Sequence, residues 1–333
     1  MATSTLPVTA AVLAAEAMPE EVNQLQVVTR RFLRHRLAVV SLFALALIVF
    51  IAAAAPILAR FDPTEINIKG AFVSPGAAGA DGRVHYLGTD NLGRDYFARL
   101  IYAGRISLLV ATTAQLGSTL LGVVIGAVSG YMGGTVDAVL MRLVEFLLTI
   151  PQLPLLLIIS SIVIQQRDAI PIPAVVTGFL SWLLVIQPQD SVQVVLIILI
   201  FVAFGWLGDA RLMRGMVLSL REQTFTEASK ALGASDIRII ATHMIPNSLA
   251  PMIVSASLGL SGFIIGEAAL SFLGLGIQDP TPTWGNMLSA AKDYMFQYPW
   301  LPLISGTPIF ICSLAFNFVG DGLRDALDPR LKR

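Results

Sequence analysis

Apolar and polar residues follow one another along this chain in long blocks. An apolar run from Leu37 to Ala59 comes first, and about 20 such residues suffice to cross a bilayer as a helix. A polar stretch from Arg60 to about Arg105 is broken by the turn signals Asp62-Pro63, Ser74-Pro75-Gly76 and Asp81-Gly82. Apolar blocks then cover Ile106–Tyr131, Val136–Ile164, residues 191–208, Ser248–Leu275 and Leu301–Val319. The pattern predicts an all-α, polytopic membrane protein with six transmembrane helices. Pro151 and Pro154 are expected to kink the third. The apolar piece 170–187 carries Pro171 and Pro173. Were it to cross, the arginine-rich 211–238 region would lie outside, against the positive-inside rule, so it is read as external and non-spanning. Gly122 and Gly126 form a small-xxx-small pair that admits a neighbouring helix closely, although glycine also occurs in membrane helices without such a role.

Composition agrees, with 55% hydrophobic and 13% charged residues among 333. The first block is not a cleavable signal: it is longer than the 7–15 residues such a segment uses. Arg30, Arg31, Arg34 and Arg36 precede it and place the N-terminal tail (1–36) in the cytoplasm; Arg324, Arg330, Lys332 and Arg333 place the C-terminal tail (321–333) there too. Formal net charge is zero, so no global field points to nucleic acid. The single cysteine, Cys312, rules out an internal disulfide, and His35, His85 and His243 lack metal-ligand spacing. There is no GxxxxGK[ST] phosphate loop, HExxH or GxSxG, hence no visible means of binding ATP or of hydrolytic catalysis.

The polar stretch 209–247 has the most specified local chemistry. Thr224-Phe225-Thr226-Glu227 fits a capping box and Gly233 a left-handed helix end, which brackets a helix of about eight residues. Ser235 is expected to cap a second helix ending against Pro246. Phe225, Ala228 and Leu232 make a narrow apolar stripe, with Thr226, Glu227 and Lys230 off it. Such a helix either docks into a soluble partner or lies on the membrane surface. Elsewhere, Arg142 and Glu145 can pair at i, i+3. Glu267 lies deep in the fifth apolar block, where a carboxylate is either a packing or gating group or a substrate contact.

Four strings carry a family resemblance. Glu227-Ala228-Ser229, Gly233 and Ile245-Pro246-Asn247 resemble the EAA loop of the membrane subunits of ABC-type importers, with Ser229 where the motif has alanine. Leu87–Asp95 (LGTDNLGRD), followed by Arg105-Ile106-Ser107-Leu108, looks like the second membrane subunit of the dipeptide, oligopeptide and nickel branch. So do Gly266–Gly276 with Gln278–Leu288, and the ending Asp321–Arg330. The resemblance implies the ABC type-1 importer permease fold: a first helix (37–59), an external loop (60–104) and a core (105–320). It implies a transport subunit rather than an enzyme, half of a pathway for peptides, nickel chelates or similar solutes. Its partners would be a homologous permease, two ABC ATPases carrying ATP and magnesium, and an external solute-binding protein, in the cytoplasmic membrane. Thr224, Glu227, Ala228, Ser229, Leu232, Gly233, Pro246 and Asn247 would couple to the ATPase, the helix riding with its cleft, and Glu227→Ala would loosen the cap. Two rivals predict differently. A proton-coupled transporter would use Glu267 and Glu145 and need no ATPase; a scaffold or enzyme would move no solute.

Overall fold

The computed structural model describes residues 24–79, 82–166 and 170–328. The N-terminal tail to residue 23, Asp81, Arg330, Lys332 and Arg333 lie outside them. Among the described residues the regular secondary structure is helical, joined by turns and irregular segments with two isolated bridges, Ala78 with Val84 and Thr89 with Asp95.

Helices α1 (Gln24–Arg34) and α2 (Arg36–Ala53) meet at His35, whose Nδ1 caps α2 by accepting from the Ala38 amide at 3.1 Å. Helix α3 (Tyr96–Met132) follows, then α4 (Gly134–Thr149) and α5 (Gln152–Gln165). Next come α6 (Ala174–Leu184), α7 (Pro188–Arg221) and the short α8 (Thr224–Ala231). Helices α9 (Ile245–Phe272), α10 (Trp284–Lys292) and α11 (Trp300–Leu327) complete the chain. Five stretches (α2, α3, α7, Asp236–Phe272 and α11) are long and apolar enough to cross a membrane. The pair α4–α5, bent by 89°, makes a sixth if counted as one span. Ile150 takes φ −82° and ψ 127°, the extended geometry that the following Pro151 enforces on its predecessor.

Several boundaries differ from the hydropathy reading, because capping chemistry rather than apolarity sets them. Helix α3 begins ten residues earlier than its apolar block, where Asp95 Oδ1 accepts from the Ala98 amide at 2.7 Å. Helix α7 runs on to Arg221, so the polar turn is 222–235 rather than 209–247. The chain also does not stop at Pro246. Five residues of π-helix (Ile240–Met244) lead straight into α9, with Pro246 in its first turn, where its missing N–H is no loss. Helix α6, 11 residues long, is too short to span and folds back on α7, with Ser191 Oγ donating to the Thr177 carbonyl at 3.1 Å.

Helices α3 and α7 make the most extensive contact of the bundle. A Cβ on Gly122 would stand 2.5 Å from the Asp209 Cβ, and one on Gly126 2.4 Å from the Ala210 carbonyl oxygen. The small-xxx-small pair is thus a helix contact, and its partner is α7. Met213 and Val217 of α7 continue this core beside Ala127 and Tyr131 of α3. One end of the bundle gathers Arg36, Arg214, Arg221, Arg238 and Arg324. The positive-inside rule makes it the cytoplasmic end.

Candidate functional site

At the cytoplasmic end, α8 sits between α7 and the start of the next span. Its C-terminus is closed as the sequence suggests. Gly233, at φ +81°, donates to the Lys230 carbonyl at 2.9 Å, and Ala234 donates to the Ser229 carbonyl at 3.1 Å. That double bond is a Schellman motif, which glycine completes without a Cβ penalty. The N-terminus is built otherwise. Gln223 is the capping residue, with no side-chain bond, and Thr224 is already inside the helix, so the Thr224/Glu227 capping box does not form. Ser235 makes no side-chain cap either.

What fixes α8 is Thr226, a residue the sequence reading placed merely off the stripe. It is fully buried, and its Oγ1 donates to the Leu220 carbonyl at 2.8 Å, tying α8 to the last turn of α7. The other braces come from neighbouring elements. The Lys230 ammonium lies 4.9 Å from the centre of the Tyr131 ring on α3, and Tyr131 in turn donates to Asp236 Oδ1 at 2.9 Å. Ser229 Oγ donates to the Phe225 carbonyl at 2.8 Å, and the Phe225 and His243 rings lie 5.9 Å apart. Asn247 donates to the His243 carbonyl at 2.6 Å. Three spanning elements therefore hold one turn-sized helix. Their ends are locked together in turn: Arg214 of α7 donates twice to Asp137 of α4, at 2.5 and 2.6 Å. Asp137 also accepts from Ser129 of α3 at 2.5 Å. Arg142 and Glu145 are both exposed and form no ion pair among the described residues.

The apolar stripe faces outward. Leu232 is 89% exposed and Phe225 37%, Ala228 is exposed, and Ile237 extends the patch at 80%. Glu227 is exposed beside it, without a hydrogen bond or ion pair among the described residues.

The opposite end brings together two strings that lie about 180 residues apart in sequence. Asp90 accepts from the Leu92 and Arg94 amides through Oδ1 and from Arg94 Nε, at 2.7 Å, through Oδ2. Arg94 and Arg99 both reach Asp279, at 3.2 and 2.7 Å. Arg99 also donates to the Pro63 carbonyl at 3.2 Å. Burial works against the Asp279 carboxylate, but the Arg99 and Arg94 guanidiniums outweigh it and hold its pKa below the ordinary value. Beside this clamp, Asp95 Oδ2 meets His85 Nδ1 at 2.8 Å. Gly93, at φ +73°, lets the loop pass against the Asn67 carbonyl, where a Cβ would stand at 1.7 Å. Mixed charges at 90–99 were a visible signal; the partner Asp279 was not.

Glu267 is 1% exposed and ends two donor chains. The Trp284 amide donates to Ser107 Oγ at 3.4 Å, which donates to Glu267 Oε2 at 2.8 Å. The Ile277 amide donates to Ser271 Oγ at 3.2 Å, which donates to Oε1 at 2.8 Å. The carboxylate thus joins α3, α9, the 273–283 turn and the start of α10. The groove along α9 is lined by Phe263, Gly266 and Ala269 but not by Glu267. Among the described residues no cluster of His, Cys, Asp and Glu could hold a metal ion.

Residues 122–333 match the family described as binding-protein-dependent transport system inner membrane component, and residues 23–75 match the N-terminal transmembrane domain of oligopeptide transport permease C. The dipeptide transport system permease protein DppC of Alkalihalophilus pseudofirmus is 37% identical over 299 residues, 90% of this chain and 88% of that protein. The oligopeptide transport system permease protein OppC of Bacillus subtilis is 34% identical over 303 residues, 91% of this chain and 88% of its own length. That of Haemophilus influenzae is 37% identical over 303 residues, 90% and 87%. With most of its length matched by the family and by relatives of this identity, the chain belongs to the inner-membrane components of binding-protein-dependent transport systems.

Proposed function

We propose that this chain is half of the transmembrane pathway of an ATP-driven importer of di- and oligopeptides, and that α8 is where it takes force from the ATPase. The pathway's other half is a homologous permease. Two ATPase subunits carry ATP and its magnesium on the cytoplasmic side, and a solute-binding protein delivers peptide outside. The observation that carries the coupling role is the two-faced construction of α8. Thr226, Lys230 and Phe225 fasten it to α7, α3 and the start of the next span, while Leu232 and Ala228 are left exposed without a partner. A helix so held moves as a rigid part of three spans. Movement of the surface it docks on therefore becomes movement of the pathway walls, and ATP shifts the equilibrium through its differential contacts with the two states. Glu227, Ser229 and Gly233 belong to this helix and its closing turn, Glu227 as an outward contact rather than a cap, and Pro246 and Asn247 stand in the first turn of α9. Glu267 serves the fold of the outer turn.

The test is purification of the tagged chain from its native membrane in mild detergent, with its subunits identified. Wild type is expected to bring down a second permease and two ATPases. Leu232→Ala removes a side chain whose burial is worth about 1.5–3 kcal/mol, and should release most of the ATPase while the second permease stays. Full ATPase retention by Leu232→Ala would refute the docking role, and a chain that never brings down an ATPase would refute the importer reading.

A further inference from the structure

The long groove beside α9 carries a carboxylate of its own. One part, about 710 Å³, is lined at the cytoplasmic end by Asn247, Pro251, Val254, Ser255 and Leu258 together with α7 and α11. A second, about 550 Å³, continues from Ser255 past Gly259, Gly262 and Gly266, with Gln115 of α3 and Asp209 of α7 opposite. The α9 positions recur every three to four residues, one helical face, so the two parts share a single wall.

Asp209 is 7% exposed and sits inside the apolar α7, yet no basic group lies within 4.0 Å of it among the described residues. Its oxygens are met by hydroxyls alone, Ser255 Oγ at 2.8 Å and Thr119 Oγ1 at 2.7 Å. The direction of these bonds is forced. A carboxylate only accepts, so Thr119 must donate to it, and Thr119 in turn must accept from Gln115 Nε2, at 2.8 Å. That orientation leaves Gln115 Oε1 without a partner, although the residue is only 4% exposed. Its neighbour across the groove is Gly259, where a Cβ would stand 2.1 Å away, so no side chain can fill the place. The cluster therefore shows two departures of the same sign, a charge without a counter-charge and an acceptor without a donor. Intramembrane charges are normally paired, and a buried acceptor left open costs about 1–3 kcal/mol. Glu267, the carboxylate buried in α9, has its oxygens filled by two serines and no face on the groove.

We propose that Asp209 and Gln115 form a subsite for the ammonium group of a peptide in transit. Asp209 supplies the charge, Gln115 Oε1 a further acceptor, and Gly262 of α9, with open space at its Cβ position, the room for the chain that follows. An ammonium group brings three donors and one positive charge, the complement of what the cluster lacks. This assignment rests on the reading of the substrate as a peptide, and the experiment separates the two.

Gly262 has open space at its Cβ position and lines the groove, and the native Cys312 is wholly buried. In the assembled transporter, Gly262→Cys is exposed to the ethylammonium and ethylsulfonate methanethiosulfonates, and modification is read from the mass of this chain. The cation is expected to react at least about tenfold faster, as in a cleft of one charge sign, and the preference should collapse when Asp209→Asn is added. In proteoliposomes with saturating peptide-loaded binding protein, Asp209→Asn is expected to slow di-alanine uptake at least about tenfold. Asp209→Glu should recover part of it, and Gln115→Met should slow uptake less. Equal reactivity of the two reagents, or a preference untouched by Asp209→Asn, overturns the subsite. Should Asp209→Asn not assemble, unchanged uptake by Gln115→Met overturns it. Cation preference without di-alanine uptake in wild type would keep the subsite and reject the peptide reading.

Discussion

Removing the Asp279 carboxylate would leave Arg94 and Arg99 facing each other with Asp90 alone. Both guanidiniums are almost fully buried, at 3% and 2% side-chain exposure, whereas Asp279 is 47% exposed. Breaking a fully buried pair costs about 3–5 kcal/mol, and an exposed one about 0.2–1. Water can reach the Asp279 side but not the arginine side, so Asp279→Ala should cost about 2 kcal/mol, between those limits. The loss falls on the join between the 85–99 segment and the 273–283 turn, not on the bundle. It should therefore appear as local opening. Hydrogen exchange of amides 88–99 at neutral pH is expected to accelerate about 30-fold in the variant, with the amides of α7 unchanged. The pH dependence has a definite sign. Because the folded pKa of Asp279 is depressed, its contribution is complete above the ordinary carboxylate value of 3.8 and is lost as pH falls through the lower folded value. Wild-type protection, corrected for intrinsic exchange rates, should thus drop in that acid window, and the variant should show no such step. Less than a twofold change at neutral pH would refute the clamp as a stabilising element.

Two further substitutions probe the interior. Glu267→Ala strands the Ser107 and Ser271 hydroxyls and should cost about 2–4 kcal/mol in thermal unfolding, whereas Glu267→Gln, which keeps one acceptor, should lose less than half of that; equal losses would refute the two-chain account. Gly126→Val would drive a side chain into the Ala210 carbonyl and force α3 from α7, abolishing accumulation in the membrane, while Gly208→Ala, with nothing within 4 Å of its Cβ, should accumulate normally. Normal accumulation of both would show that the α3–α7 contact is not tight.

How much of this was legible in the chain depends on the range of the interaction involved. The bend at Pro151 and the left-handed Gly233 were readable because proline and glycine act on the backbone within a residue or two. The glycine pair of α3 was readable as one that admits a neighbouring helix, but neither the contact nor its partner α7 was decided. The Thr224/Glu227 box was misread. A local motif states only what side chains can do, and here Gln223 takes the capping position while Thr226 finds a better acceptor on α7.

The sequence alone determined the helical class, the approximate places of the spans, the basic end, and a short closed helix with an apolar stripe. Each follows from hydrophobic period, backbone preference or charge distribution within some twenty residues. Only the tertiary structure decided that Arg99 meets Asp279 and that Glu267 is sealed away while Asp209 fronts the groove. A buried carboxylate looks the same in any apolar block. Whether its oxygens are filled depends on hydroxyls from other helices, and those are placed by packing across the bundle.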